Sequence, residues 1–146
     1  MQKRFSYASA IVLITASVGA CASPPRAAPP PGTLPPGTAQ VTINDDALPE
    51  THAVKCVTMG SLTAVTTGDT AAGTKVFVSN GSALTAKSVN VSDLGGFTGS
   101  YAEDLQGTAD VALQGYTYTI RGRAEGFDTG NPSLRTIGTF TIKVAC

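Results

Sequence analysis

Cysteine and histidine are the scarce reactive side chains of this 146-residue chain, at Cys21, Cys56, Cys146 and His52. A Ser-His-Asp or Cys-His arrangement needs an imidazole as base, oriented by a third group. His52 sits next to the proline-rich segment, before the first long predicted strand, and no second histidine exists to relay a proton or complete a zinc site. It reads as an exposed loop residue. No two cysteines form a CxxC pair. Asp93, Glu103, Asp104 and Asp110 could pair as carboxylates or hold calcium, but Glu103 and Asp104 are adjacent in a turn and no calcium-loop spacing occurs. Solvated loops are the expectation for all four. Arg121 and Arg123 share one face of a predicted strand and could hold an anionic headgroup. The plainer reading is a wet outer face opposite Tyr118 and Ile120. Asn80-Gly81-Ser82 and Asn90-Val91-Ser92 match the N-glycosylation sequon, a short pattern that chance often produces. No catalytic residue, metal site or cofactor is expected, and the reading is of a protein that is not an enzyme.

The chemistry that does stand out is at Cys21. Lys3 and Arg4 precede an uncharged apolar run, "FSYASAIVLITASVGA", from Phe5 to Ala20. A short basic end followed by such a run is the pattern of a secretory signal peptide. As a helix it would span roughly 24 Å, short of the ~30 Å hydrocarbon core, and no basic stop-transfer cluster follows. Residues 1–20 are therefore read as a leader. Its end, Val18-Gly19-Ala20-Cys21, resembles the bacterial lipobox. That resemblance implies a diacylglyceryl group on the Cys21 thiol as a thioether, followed by cleavage between Ala20 and Cys21. Two acyl chains make a stable anchor at about 0.8 kcal/mol per buried methylene, where one chain binds only reversibly. The expected location is the cell membrane, lipid-anchored and facing the extracytoplasmic envelope. The modification also removes one thiol from an odd count.

Behind the cysteine, "ASPPRAAPPPGTLPPGTAQ" (22–40) holds seven of the nine prolines. Proline lacks an N–H and pushes the preceding residue away from helix, so residues 21–40 read as the lipidated N-terminus and a Pro-rich tether. Extended, 22–40 would reach about 60 Å at ~3.1 Å per residue, less where glycine intervenes. Past the leader, eight basic residues face ten acidic ones, leaving no basic field for a nucleic-acid backbone.

From residue 41 to 146 the texture is strand and turn, rich in Thr, Val, Ser, Ala and Gly, with no tryptophan. The runs are 41–43, 53–59, 62–67, 74–79, 86–92, 97–101, 109–113, 116–123 and 138–146. In the last, Phe140, Ile142 and Val144 alternate with Thr139, Thr141 and Lys143; Tyr116, Tyr118 and Ile120 alternate likewise. Period two buries one face and wets the other, as in antiparallel sheets. Turn chemistry breaks the runs at Asn80-Gly81, Gly95-Gly96, Gln114-Gly115 and from Gly126 to Pro132. "DTAAGT" (69–74) could instead form one helical turn. The fold class is all-β, an antiparallel sandwich or small barrel of about eight or nine short strands. Cys56 falls in an early strand and Cys146 ends the last one. Two free thiols or one bridge are the alternatives, and an oxidising envelope favours the bridge. It would close a long loop and tie down a terminus that otherwise frays.

The stretches "AKSVNVSDLGGFTGSY" (86–101), "QGTADVALQGYTYTIRGRAEGFDTGNPSL" (106–134) and "FTIKVAC" (140–146) resemble the mycobacterial 19-kDa lipoprotein antigen family. Gly122-Arg123-Ala124-Glu125-Gly126, followed by Asn131-Pro132, is the most specific part. The resemblance implies cysteines bracketing the domain, as Cys56 and Cys146 do. It also implies a cell-envelope lipoprotein, an antigen met by host innate receptors through its acyl chains. It brings no catalytic residues. The proline-rich linker departs from the Ser/Thr-rich linkers of known members. A second functional reading is a carrier holding an apolar ligand such as a lipid between its sheets. The Cys21→Ala variant should leave the membrane fraction and fail to label with palmitate; retention with labelling would overturn the anchor assignment.

Overall fold

The structure, a computed structural model, describes residue 28 and residues 30–146. The leader, the lipobox residues Val18, Gly19 and Ala20, and Cys21 lie outside the described residues. Ten strands follow in order: β1 (Ala39–Ile43), β2 (Asp46–Ala47), β3 (Val54–Met59), β4 (Leu62–Gly68), β5 (Gly73–Asn80), β6 (Leu84–Leu94), β7 (Phe97–Ala102), β8 (Thr108–Gln114), β9 (Thr117–Asp128) and β10 (Asn131–Ala145). All pair antiparallel in one sheet, ordered β2-β1-β10-β9-β7-β6-β5-β4-β3, with β8 also on β9. The all-β, antiparallel expectation is met, in the form of one continuous sheet.

That sheet is open in its hydrogen bonding yet curls over a single core. Register carries Lys55 of β3 through Thr66, Lys75, Asn90, Ser100 and Glu125 to Ile137 of β10. Cys56, one residue on, is nevertheless bonded to Cys146, well past Ile137 along the same strand direction. Such a displacement around the sheet is the stagger that tilted strands acquire when a sheet bends toward a barrel. The concave face holds Val65, Val76, Val78, Val89, Ile120, Ile142 and Val144, all at 0% exposure and in one cluster. The alternation read at Phe140, Ile142 and Val144 is therefore that of the core, and Tyr118 and Ile120 follow it, whereas Tyr116 precedes β9 in a turn and is exposed.

Small residues let the aromatic rings in. The Phe97 ring lies over Gly138, where a Cβ would stand 2.6 Å from the ring. Gly122 sits under Phe140, at 2.8 Å for a Cβ, and Ala124 beside it is fully buried. Gly126 abuts the backbone at Thr98. The Gly-x-Ala-x-Gly element is thus a stripe of small residues on the inner face of β9, where β7 and β8 converge on the same edge of that strand.

Two stretches differ from the sequence reading. The break expected from Gly126 to Pro132 is mostly strand: β9 runs to Asp128 and β10 begins at Asn131. Pro132 is accommodated because the register slips between Asn131 and Arg135, so no ladder N–H is required of it. At 69–74 there is no helical turn; the Asp69 carboxylate accepts the N–H groups of Ala71 and Ala72, both at 2.8 Å, and β5 starts at Gly73.

Phe97→Ala should lower unfolding free energy by about 3–5 kcal/mol and Gly138→Ala by about 1–3 kcal/mol. Because the second change crowds the ring that the first removes, the double variant should cost less than the two together, read from urea titrations; strict additivity would contradict the packing described.

Candidate functional site

The turns divide between two ends of the curled sheet. At one end the chain enters. The Leu34 N–H donates to Thr117 Oγ1 at 3.0 Å, the Gly37 N–H to the Ala145 carbonyl at 2.9 Å, and the Ala145 N–H to the Thr38 carbonyl at 2.9 Å. Thr38 is buried. The segment is thus seated on the domain before β1, and β1 itself begins at Ala39 rather than Val41. Just upstream, the Thr33 N–H and Oγ1 both donate to the Pro30 carbonyl, at 3.1 and 2.6 Å, so the residues read from composition as tether include a stretch that packs on the domain. The turns β3–β4, β5–β6 and β8–β9 share this end: the Asn80 N–H donates to the Ser61 carbonyl at 2.7 Å and the Cys146 N–H to the Tyr116 carbonyl at 3.0 Å.

The bridge between Cys56 and Cys146 is present, with the two Cα atoms 5.9 Å apart and 90 residues of separation. It ties the β3 edge of the sheet to the end of β10, across the gap that hydrogen bonding leaves open. The opposite seam is filled by the connection after β2, where Val41, Leu48, Pro49, Ala72 and Leu94 line an apolar cleft of about 280 Å³. That is smaller than the usual range for ligand pockets, roughly 300–1,000 Å³. The space between facing parts of the sheet is occupied by the buried cluster.

The titratable residues singled out earlier do not converge. His52 Nδ1 is 3.4 Å from Thr38 Oγ1, beside the entering strap. The Asp93 carboxylate, near the end of β6, accepts from Thr129 Oγ1 at 3.0 Å. Glu103 pairs with Lys87, whose ammonium it holds above the ordinary lysine range. Asp104 sits in the same excursion between β7 and β8, and Asp110 lies on β8 opposite Arg121. Arg121 and Arg123 are exposed while Tyr118 and Ile120 are buried, the plainer of the two readings. Asp69 is held below the usual carboxylate range by the N–H groups of Ala72 and Ala71, and Tyr101 is pushed up by burial while its hydroxyl donates to the Ala86 carbonyl at 3.0 Å. Both are structural hydrogen bonds. Among the described residues no three His, Cys, Asp or Glu side chains are grouped to hold a metal ion. Two shallow clefts on the outer face, of about 530 and 760 Å³, share Asn90 and Ser92; Glu125 and Arg135 lie on the first, and Lys55, Asp69 and Lys75 on the second.

The site residues thus belong to an all-β domain stapled across its open edge, with its N-terminal segment strapped to one end and its ionisable groups dispersed among the described residues. The chain belongs to the Mycobacterium 19 kDa lipoprotein antigen family, whose model matches residues 32–146. It is 35% identical to a putative lipoprotein of Mycobacterium indicus pranii over 95% of this chain and 96% of that protein. It is 33% identical to a putative lipoprotein of Mycobacterium avium subsp. hominissuis over 100% of this chain and 97% of that one. Lipoprotein LpqH of Mycobacterium tuberculosis is 31% identical over 66% of this chain and 61% of its own length.

Reducing the bridge, or replacing both partners with serine, should destabilise the domain by about 4–5 kcal/mol in the chain-entropy account of a loop of this size. Free-thiol mapping checks the pairing first: alkylation of both Cys56 and Cys146 without reductant would remove the bridge from the native protein.

Proposed function

We propose that the chain is a lipid-anchored surface lipoprotein of the cell envelope, non-enzymatic, acting in envelope organisation and in host contact. In this reading residues 1–20 are the signal peptide, Cys21 carries the diacylglyceryl group, and the domain from Ala39 onward is the displayed part. The observation that carries it is Val18-Gly19-Ala20-Cys21 closing an apolar leader, directly upstream of a disulfide-bonded β domain. The family description and the lipoprotein names of the relatives support it. The anchor supplies location by burying methylenes, and the domain supplies surface. Host innate receptors are engaged through the acyl chains, while the protein surface is what antibodies meet.

The non-enzymatic reading is supported by the dispersal of His52, Asp93, Glu103 and Asp110 over separate elements, since acid–base chemistry needs groups within hydrogen-bond reach of one substrate atom. Purified lipidated chain should stimulate receptor-bearing host cells, and the Cys21→Ala chain at equal concentration should lose that response at least tenfold. An undiminished response from the variant would move recognition from the acyl chains to the protein.

A further inference from the structure

The two ends of the domain differ in chemistry as well as in position. The end away from the entering chain carries four turns, each with aspartate in or beside it: Asp45 and Asp46 after β1, Asp69 between β4 and β5, Asp93 at the end of β6, and Asp128 at the end of β9. They are together in space. The Thr129 N–H donates to the Gly96 carbonyl at 2.7 Å, and Gly95 lies against Ile43 and Leu48, where a Cβ would stand 3.2 Å from the Ile43 side chain. The three turns at the entry end are Met59-Gly60-Ser61-Leu62, Asn80 to Leu84, and Gln114-Gly115-Tyr116-Thr117. No ionisable Asp, Glu, Lys or Arg occurs in them.

These three turns are also apolar at their tips. Tyr116 is 78% exposed and Met59 55%, with Leu113 close behind at 45%. Leu113 continues the inward parity of Ala109 and Val111 but lies past the end of the core. The Cys146 N–H bond to the Tyr116 carbonyl and the Cys56–Cys146 bridge hold the β8–β9 and β3–β4 turns near each other. Val57, also exposed, lies on β3 two residues before Met59; the remaining exposed apolar residues lie beside charges, since Leu105 follows Glu103 and Asp104, Leu134 adjoins Arg135 and Ile137 pairs with Glu125.

The chain leaves the domain at this same end, toward Cys21. Ten residues, 22–31, separate Cys21 from Gly32, and an extended proline-rich segment of that length reaches about 31 Å. A tether this short keeps the tips at a high effective concentration over whatever Cys21 is inserted in, so a weak surface affinity suffices. Tyrosine at the rim of an apolar tip suits the bilayer interface, where the ring is buried and the hydroxyl stays wet.

We propose that the entry end is a membrane-docking surface. The tips at Met59, Leu113 and Tyr116 rest in the headgroup region of the bilayer that holds the anchor, and the aspartate-bearing turns point outward. This rests on the lipidation of Cys21. The chain has no tryptophan, so single-tryptophan variants report position directly. Lipidated full-length Y116W and T70W chains are incorporated into phosphatidylcholine–phosphatidylglycerol vesicles with or without brominated acyl chains. Tyr116→Trp emission should fall to half or less in brominated vesicles, whereas emission from Thr70→Trp, in the β4–β5 turn, should not change. Flotation with the vesicles and the intact mass of the N-terminal peptide read the anchor separately. Loss of both would remove the anchor and this proposal with it. An anchored protein in which both variants, or neither, are quenched would overturn the docking alone. So would emission from Tyr116→Trp that shifts with protein density and ignores bromine, since a second copy would then cover the tips.

Discussion

A sheet with one greasy face has to close on itself or find a cover. Here no helix among the described elements supplies one, so the ten-strand sheet bends until its own inner face is the cover. Hydrogen bonding takes the closure most of the way, from β2 round to β3, and stops. What remains is a gap spanned by two devices of different kinds. One is the covalent bond between Cys56 and Cys146; the other is the chain after β2, which lays Leu48 and Pro49 into the seam. The core is then a single cluster with several valines and isoleucines fully excluded from water. Excluding these branched side chains from water is the main favourable term for a domain with few aromatic residues.

The curvature depends in turn on where bulk is withheld. Phe97 and Phe140 reach across the core only because Gly138 and Gly122 leave space beneath them. The Gly-x-Ala-x-Gly element that marks the family in sequence is thereby a packing device on β9, the strand that serves β7, β8 and β10 together. A motif that carries no chemistry can still be specific when three strands crowd one.

Much of this was legible beforehand. Period-two alternation in 138–146 and 116–123 located two core strands, and the positions of Cys56 and Cys146 suggested their bridge. The strap at Leu34–Thr38 was hidden, because its backbone hydrogen bonds to Thr117 and Ala145 leave no mark on composition. The outer half of the β9–β10 hairpin was hidden for a different reason. Residues 131–137 are exposed on both faces, so no alternation betrays a strand, and Pro132 reads as a stop until the register slip removes the need for its N–H. His52, read as an exposed loop residue, is exposed in the connection before β3. The segregation of charge between the turns could not be seen in one dimension, since it appears only when topology sends alternate turns to opposite ends.

The strap has a mechanical consequence. It leads into β1, and β1 runs antiparallel to the last five paired residues of β10, from Phe140 to Val144. If the far turns are gripped while the N-terminal segment is held back, the load runs along β1 and its ladder with β10 is sheared lengthwise. The bonds between Ala39 and Ile43 and their partners then bear the load in parallel instead of opening one by one, and the bridge at Cys146 keeps the receiving strand from peeling away. Resistance to such pulling is governed by the unfolding rate rather than by equilibrium stability. A module built this way is suited to being pulled by its N-terminal segment.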